Sequence, residues 1–202
     1  MIIIDIGACV GTFIDSCLDK YGERVEAIYA FEPLRANYDF LIDKYRDDDR
    51  IGIINQAIGG FDGGAKFYKK NNKDGSDGDF VSNSGSSLKQ SKTNVSDSYN
   101  KVSVTQLSTF LFNNPIDFID IIKIDAEGAE YDILKDILVR KILMRVGLVY
   151  FEDHCRKVPE LEVDRDEFIE QVKERRLTHK FFVQGGNGIY DIPLREWIEN
   201  VT

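Results

Sequence analysis

The sequence lacks any apolar run near the roughly 20 residues that span a bilayer, and it opens on Met1-Ile2-Ile3-Ile4-Asp5 without a basic leader or a cleavage site. Neither a membrane span nor a secretory signal is expected. Basic blocks are missing too. Thirty-five acidic against 26 basic side chains leave a formal net charge of -9, so nothing in the chain tracks a phosphate backbone and nucleic acid is a poor partner. The same charge repels polyanions and anionic membrane surfaces and mildly attracts a cationic small molecule. Cysteine is scarce and odd in number, with Cys9, Cys17 and Cys155 in no C-x-x-C spacing. That points to a reducing, cytoplasmic setting and to small core hydrophobes rather than a disulfide framework. Internal repeats and linkers are absent as well.

What is present is a globular composition. Of 202 residues, 43% are hydrophobic and 30% charged, enough for a sizeable core and far from the disordered class. A chain this long serves one core, so residues 1–202 are expected to form a single domain. Apolar runs at 2–6, 27–31, 51–58, 118–124 and 147–151 predict strands, and helical spacing follows at 12–20, after Pro33 to Tyr45, at 129–138 and at 164–176. Strands alternating with helices imply a mostly parallel sheet covered on both faces, an α/β Rossmann-like architecture. Residues 180–184 and 188–192, around Gly185-Gly186-Asn187, predict a C-terminal antiparallel hairpin. Residues 71–100 are dense in Asn, Asp, Gly, Ser and Lys and read as a long loop, either disordered or a lid on the acceptor side, flanked by short extended pieces at 64–70 and 101–105.

Ligands of open α/β sheets bind at the carboxyl ends of the strands. After the first strand, Gly7 and Gly11 allow close backbone approach, Ala8 does not intrude, and the next helix offers unpaired N–H groups. After the second, Glu32 lies near the spacing, roughly 20 residues on, at which an acid meets ribose hydroxyls; a helix-entry acid beside Pro33 is the alternative. After the fourth, Asp125, Glu127 and Glu130 crowd a helix start, where capping and the helix dipole account for much of the cluster. They do not account for Lys123, which shares a strand face with Asp125 and needs a carboxylate partner if it takes no direct part in the reaction. After the fifth, Glu152-Asp153-His154 adds acids and an imidazole. His154 is read as a general base, as a satisfied structural histidine, or with Asp125 and Glu152 as a ligand of a divalent metal.

Asp5-Ile-Gly-Ala-Cys-Val-Gly-Thr12 resembles the first motif of class I S-adenosylmethionine (SAM) methyltransferases. Ala30-Phe-Glu-Pro33, Ile122-Lys-Ile-Asp-Ala-Glu-Gly-Ala-Glu130 and Glu152-Asp-His154 are similar, in order, to those of the FkbM-type branch. The resemblance implies a seven-stranded sheet with an antiparallel last strand and methyl transfer from SAM to a hydroxyl, commonly on a sugar such as a deoxyhexose in a glycan. It implies that Asp5, Gly7, Ala8 and Gly11 line the methionine part of SAM, Glu32 the ribose and Gln56-Ala57 the adenine edge. Asp125, Glu127 and His154 would then face the acceptor. Cys9 and Val10 depart from the Asn or Ile that many relatives place in this loop, and no helix precedes the first strand. The latter suggests a module of a longer glycan-building chain, fused to glycosyltransferase domains as in proteins that glycosylate the capsids of large algal viruses in the host cytoplasm. Two other classes remain open: a nicotinamide-dependent Rossmann oxidoreductase and a non-catalytic binding domain.

Overall fold

The structure is a computed structural model that describes residues 1–71, 85–184 and 192–201. Its elements run β1 (Ile2–Ile6), α1 (Thr12–Tyr21), β2 (Ala27–Phe31), α2 (Arg35–Lys44), β3 (Ile51–Ile54), β4 (Ala57–Ile58), β5 (Gly63–Lys70) and β6 (Val95–Thr105). The second half comprises α3 (Leu107–Asn113), β7 (Ile119–Ile124), α4 (Glu130–Val139), β8 (Val146–Phe151), α5 (Glu162–Glu174), β9 (Phe181–Val183), β10 (Ile192–Pro193) and α6 (Leu194–Val201). Among the described residues a seven-stranded sheet has the order β10-β9-β8-β7-β1-β2-β3, and a three-stranded sheet the order β4-β6-β5. In the large sheet the pairings are parallel except that of β10 with β9. No described helix is long and apolar enough to cross a membrane.

The central strands are apolar on successive residues because both of their faces are covered. Ile4, Ile6, Ile122, Ile124 and Phe151 point into one core with α3, α4, α5 and α6. Ile3, Ile28, Ala30 and Ile121 point into the other, against Ile14 and Cys17 of α1 and Leu41 of α2. Cys17 and Cys155 are buried free thiols, whereas Cys9 is half-buried. At the short edge strand β10, Pro193 leaves little backbone for further pairing.

Two expectations need correction. The third strand is not continuous over 51–58: the chain leaves the large sheet at Asn55, whose side-chain amide donates to the Glu32 and Pro33 carbonyls at 2.9 and 3.1 Å, and β4 joins β6 instead. The segment 71–100 is not all loop, because Val95 to Asn100 form the first part of β6, antiparallel to β5. That stretch alternates between half-buried and exposed side chains, and its polar residues gave no apolar signal. Residues 72–84 lie outside the described residues, as do 185–191 of the expected hairpin, of which β9 and β10 are seen to pair. Helices α3 and α6 were not anticipated, although Leu107 and Leu111, and Leu194, Trp197 and Ile198, are buried at helical spacing.

Candidate active site

The ends of β1 and β7 touch. Gly7 adopts φ +82°, and a Cβ there would lie 2.0 Å from the Asp125 carbonyl oxygen, so glycine alone lets the chain turn away. Gly11, at φ +81°, leaves its missing Cβ's place to the Tyr45 hydroxyl, which lies 2.9 Å from the Gly11 carbonyl and 2.7 Å from an Asp15 carboxylate oxygen. Gly7→Ala is expected to cost more than the roughly 1–2 kcal/mol of a left-handed backbone alone, since Asp125 must also move. Urea denaturation measures this, and a loss under about 1 kcal/mol would contradict the close approach.

Glu32, at the end of β2, is buried. Its Oε2 accepts from the Cys9 amide at 2.9 Å and its Oε1 from the Leu34 amide at 2.8 Å, so one carboxylate joins the loop after β1 to the start of α2. Burial pushes its pKa up to about 7, against the hydrogen bonds from Leu34, Cys9 and Asn37.

Strand register sets Lys123 of β7 beside Asp5 of β1. The Lys123 ammonium donates to the Gly7 carbonyl at 2.8 Å and lies 3.2 Å from Asp5 Oδ1 and 3.6 Å from Asp125 Oδ2. This is the carboxylate partnership that a buried lysine requires. Burial raises the pKa of Asp5, with Lys123 opposing.

Past β7, Asp125 Oδ1 is buried and makes no hydrogen bond among the described residues. Burial raises the pKa of this carboxyl to about 6, Lys123 opposing and the neighbouring Glu152 and Glu127 adding to the rise. Glu127 stands at φ 53°; its Oε2 takes the Lys92 ammonium at 2.5 Å and lies 3.0 Å from His154 Nε2. Burial opposes its ionisation, but His154 and Lys92 outweigh it and hold the carboxyl far below the usual range. His154 is 1% exposed. Its Nδ1 lies 3.0 Å from Glu130, and its Nε2 is also 3.3 Å from Glu152. Burial alone would favour the neutral ring, yet the three carboxylates prevail and push its pKa up to about 12.

These strand ends open on one cleft of about 580 Å³, its open mouth included. Gly7, Glu32, Gln56, Ala57, Asp125 and Glu127 wall it, together with Phe31, Leu34, Ile58 and Leu88, a mixture of apolar surface and a few polar groups suited to a small molecule. The family model of the Methyltransferase FkbM domain matches residues 5–178. The chain belongs to this family. A solved structure of Methyltransferase FkbM from Methylobacillus flagellatus KT is similar at 18% identity and TM-score 0.44, covering 68% of this chain and 28% of that one. This chain therefore spans well under half the length of that protein. No curated protein matches.

Membership of the FkbM family sets aside the nicotinamide-dependent alternative. Of the residues singled out from the sequence, Asp5, Ala8, Gly11, Lys123, Glu152 and His154 do not line the cleft. Asp5, Ala8 and Lys123 are buried behind the loop that Gly7 presents, and His154 stands behind Glu127. Asp153 is turned to the Tyr131 hydroxyl and the Cys155 amide, at 2.9 and 3.1 Å. Sequence reasoning missed Lys92, which sits in a polar stretch without periodicity, and the weight of Glu130. Its place in the first turn of α4 was legible; its grip on the Ala126 and Gly128 amides at 3.0 Å was not.

For a divalent ion the cluster that converges is Asp125, Glu130 and His154, with ligand atoms within 4.8 Å of one another; Glu130 takes the place expected of Glu152. The donor set fits a metal poorly. Glu130 already serves backbone amides, and both ring nitrogens of His154 already lie against carboxylates. A proton held by His154 makes a measurable claim. Its contribution to stability is complete below the ordinary histidine value of 6.5 and is lost as pH climbs towards about 12. From pH 6.5 to 8, then, stability is expected to fall by up to about 1.4 kcal/mol per pH unit. Glu32 and Asp125, with raised carboxyl pKa values, contribute in the same direction at the lower end of this window. His154→Gln should flatten the slope in urea denaturation, and a flat profile for the unaltered protein would contradict the imidazolium.

Proposed function

We propose that this chain transfers a methyl group from S-adenosylmethionine to a hydroxyl of a sugar within a glycan. The observation that carries the reading is that Glu32 and Asp125 line one cleft, and that Asp125 keeps a buried Oδ1 without a hydrogen-bond partner among the described residues. When bound, the donor supplies an electrophilic methyl on a sulfonium. The residues present suit it: Glu32 offers a carboxylate to a vicinal diol, Phe31, Leu34, Ala57 and Ile58 offer apolar walls to a base, and the net charge of -9 favours a cation.

On the acceptor side, Asp125 is the base. With its pKa near 6 it is mostly ionised at neutral pH yet basic enough to take a hydroxyl proton as that oxygen attacks. His154, whose pKa the three carboxylates push up, does not line the cleft; it sits against Glu127 and Glu152 instead. Lys123 acts as a positioning residue, holding the Gly7 carbonyl and the charge of Asp125. Glu127 presents further acceptor atoms to a polyhydroxylated partner. Calorimetry with SAM, followed by transfer of labelled methyl to a panel of neutral glycans that includes deoxyhexoses, tests the reading. Methylation confined to amines or thiols, or failure to bind SAM, would overturn it.

A further inference from the structure

Residues 85–94 form a strap beside the cleft, supplying Gly85, Ser86 and Leu88 to its wall. The Ser87 amide donates to the Tyr68 carbonyl at 2.9 Å, the Ser87 hydroxyl to the Glu127 carbonyl at 2.6 Å, and the Thr93 amide to the Lys157 carbonyl at 2.9 Å. The strap has one fully buried charge among its described residues. Lys92 has a side chain at 0% exposure, and its ammonium donates to the Gly85 carbonyl at 2.6 Å and to Glu127 Oε2 at 2.5 Å. A plain anchor would be apolar, because burying a paired lysine is seldom more stabilising than filling the same space with hydrocarbon. Both acceptors here belong to residues that wall the cleft. Glu127 needs the help: its backbone is left-handed and His154 approaches its carboxylate from the other side.

We propose that Lys92 is a positioning residue for methyl transfer: its ammonium fixes the Glu127 carboxylate and holds the strap in place, so that an acceptor meets Asp125 in one orientation. The inference rests on the methyl-transfer reading, but part of its test does not. Lys92→Met keeps the length of the side chain and removes the charge. It is expected to raise the acceptor KM on the order of 10–100-fold, the loss of a buried charged hydrogen bond, while SAM affinity by calorimetry stays within about threefold. In a Glu127→Gln background the same change should add less than about threefold, since the contact is already weakened. Independently of any turnover, hydrogen exchange at the Ser87, Lys89 and Thr93 amides should accelerate in Lys92→Met relative to the core of β7. If Lys92→Met does not fold, Glu127→Gln carries the same exchange test from the other side of the contact.

Accelerated exchange with an acceptor-selective KM effect supports the role. Unchanged exchange, or equal losses for donor and acceptor, overturns it. An unaltered protein that methylates no hydroxyl refutes the function proposed above, and the exchange data then still decide whether Lys92 holds the strap.

Discussion

Asp125→Asn is expected to lower turnover by about 10²–10⁴-fold, the contribution of a positioned general base, with SAM affinity little changed. Asparagine retains the shape of the side chain and cannot take a proton. The expectation follows from two properties of the carboxyl. Asp125 lines the cleft and its buried Oδ1 has no hydrogen-bond partner among the described residues, and burial has raised its pKa to about 6. Turnover in the unaltered protein should therefore rise with pH through an acid limb centred near 6, as the carboxylate forms. That limb should vanish in Asp125→Asn. Stopped assays with labelled donor from pH 5 to 8 would decide it, and undiminished turnover would remove Asp125 from the reaction.

The second large effect is expected at Glu32. Glu32→Ala should weaken SAM binding on the order of 100-fold, because it removes the acid offered to the ribose and strands the Cys9 and Leu34 amides it now receives, each unpaired buried donor costing about 1–3 kcal/mol. Turnover at saturating donor should fall far less. A pKa of about 7 also implies that donor affinity improves between pH 6 and 8 as the carboxylate ionises and accepts more strongly. Glu32→Gln should lose that pH dependence and bind with intermediate affinity. Calorimetric affinity within about twofold of the unaltered protein for Glu32→Ala would refute the ribose assignment.

Both residues were legible in the sequence because each follows directly on a buried strand, and such strands announce themselves by continuous apolar residues. Gly7 was legible for a related reason, glycine at a strand end marking a turn that other residues do not make. The role of His154 was not. An imidazole after a strand reads as a base, and what reverses this is the convergence of Glu127, Glu130 and Glu152 from two different strand ends. The polar first part of β6 also escaped, since its half-buried face carries polar side chains and so gives no apolar alternation to read.

By itself, then, the sequence determined the alternation of strands and helices, the glycine turn after β1 and the placing of acids at the strand ends. These depend on periodicity and turn chemistry, which act between near neighbours along the chain. The tertiary structure alone decided where the third strand breaks, how Lys92 reaches Glu127 across 35 positions, and that three carboxylates gather around His154. Those outcomes turn on electrostatics and pairing between distant segments, and a buried charge takes its state from whatever partners the fold brings within hydrogen-bonding distance.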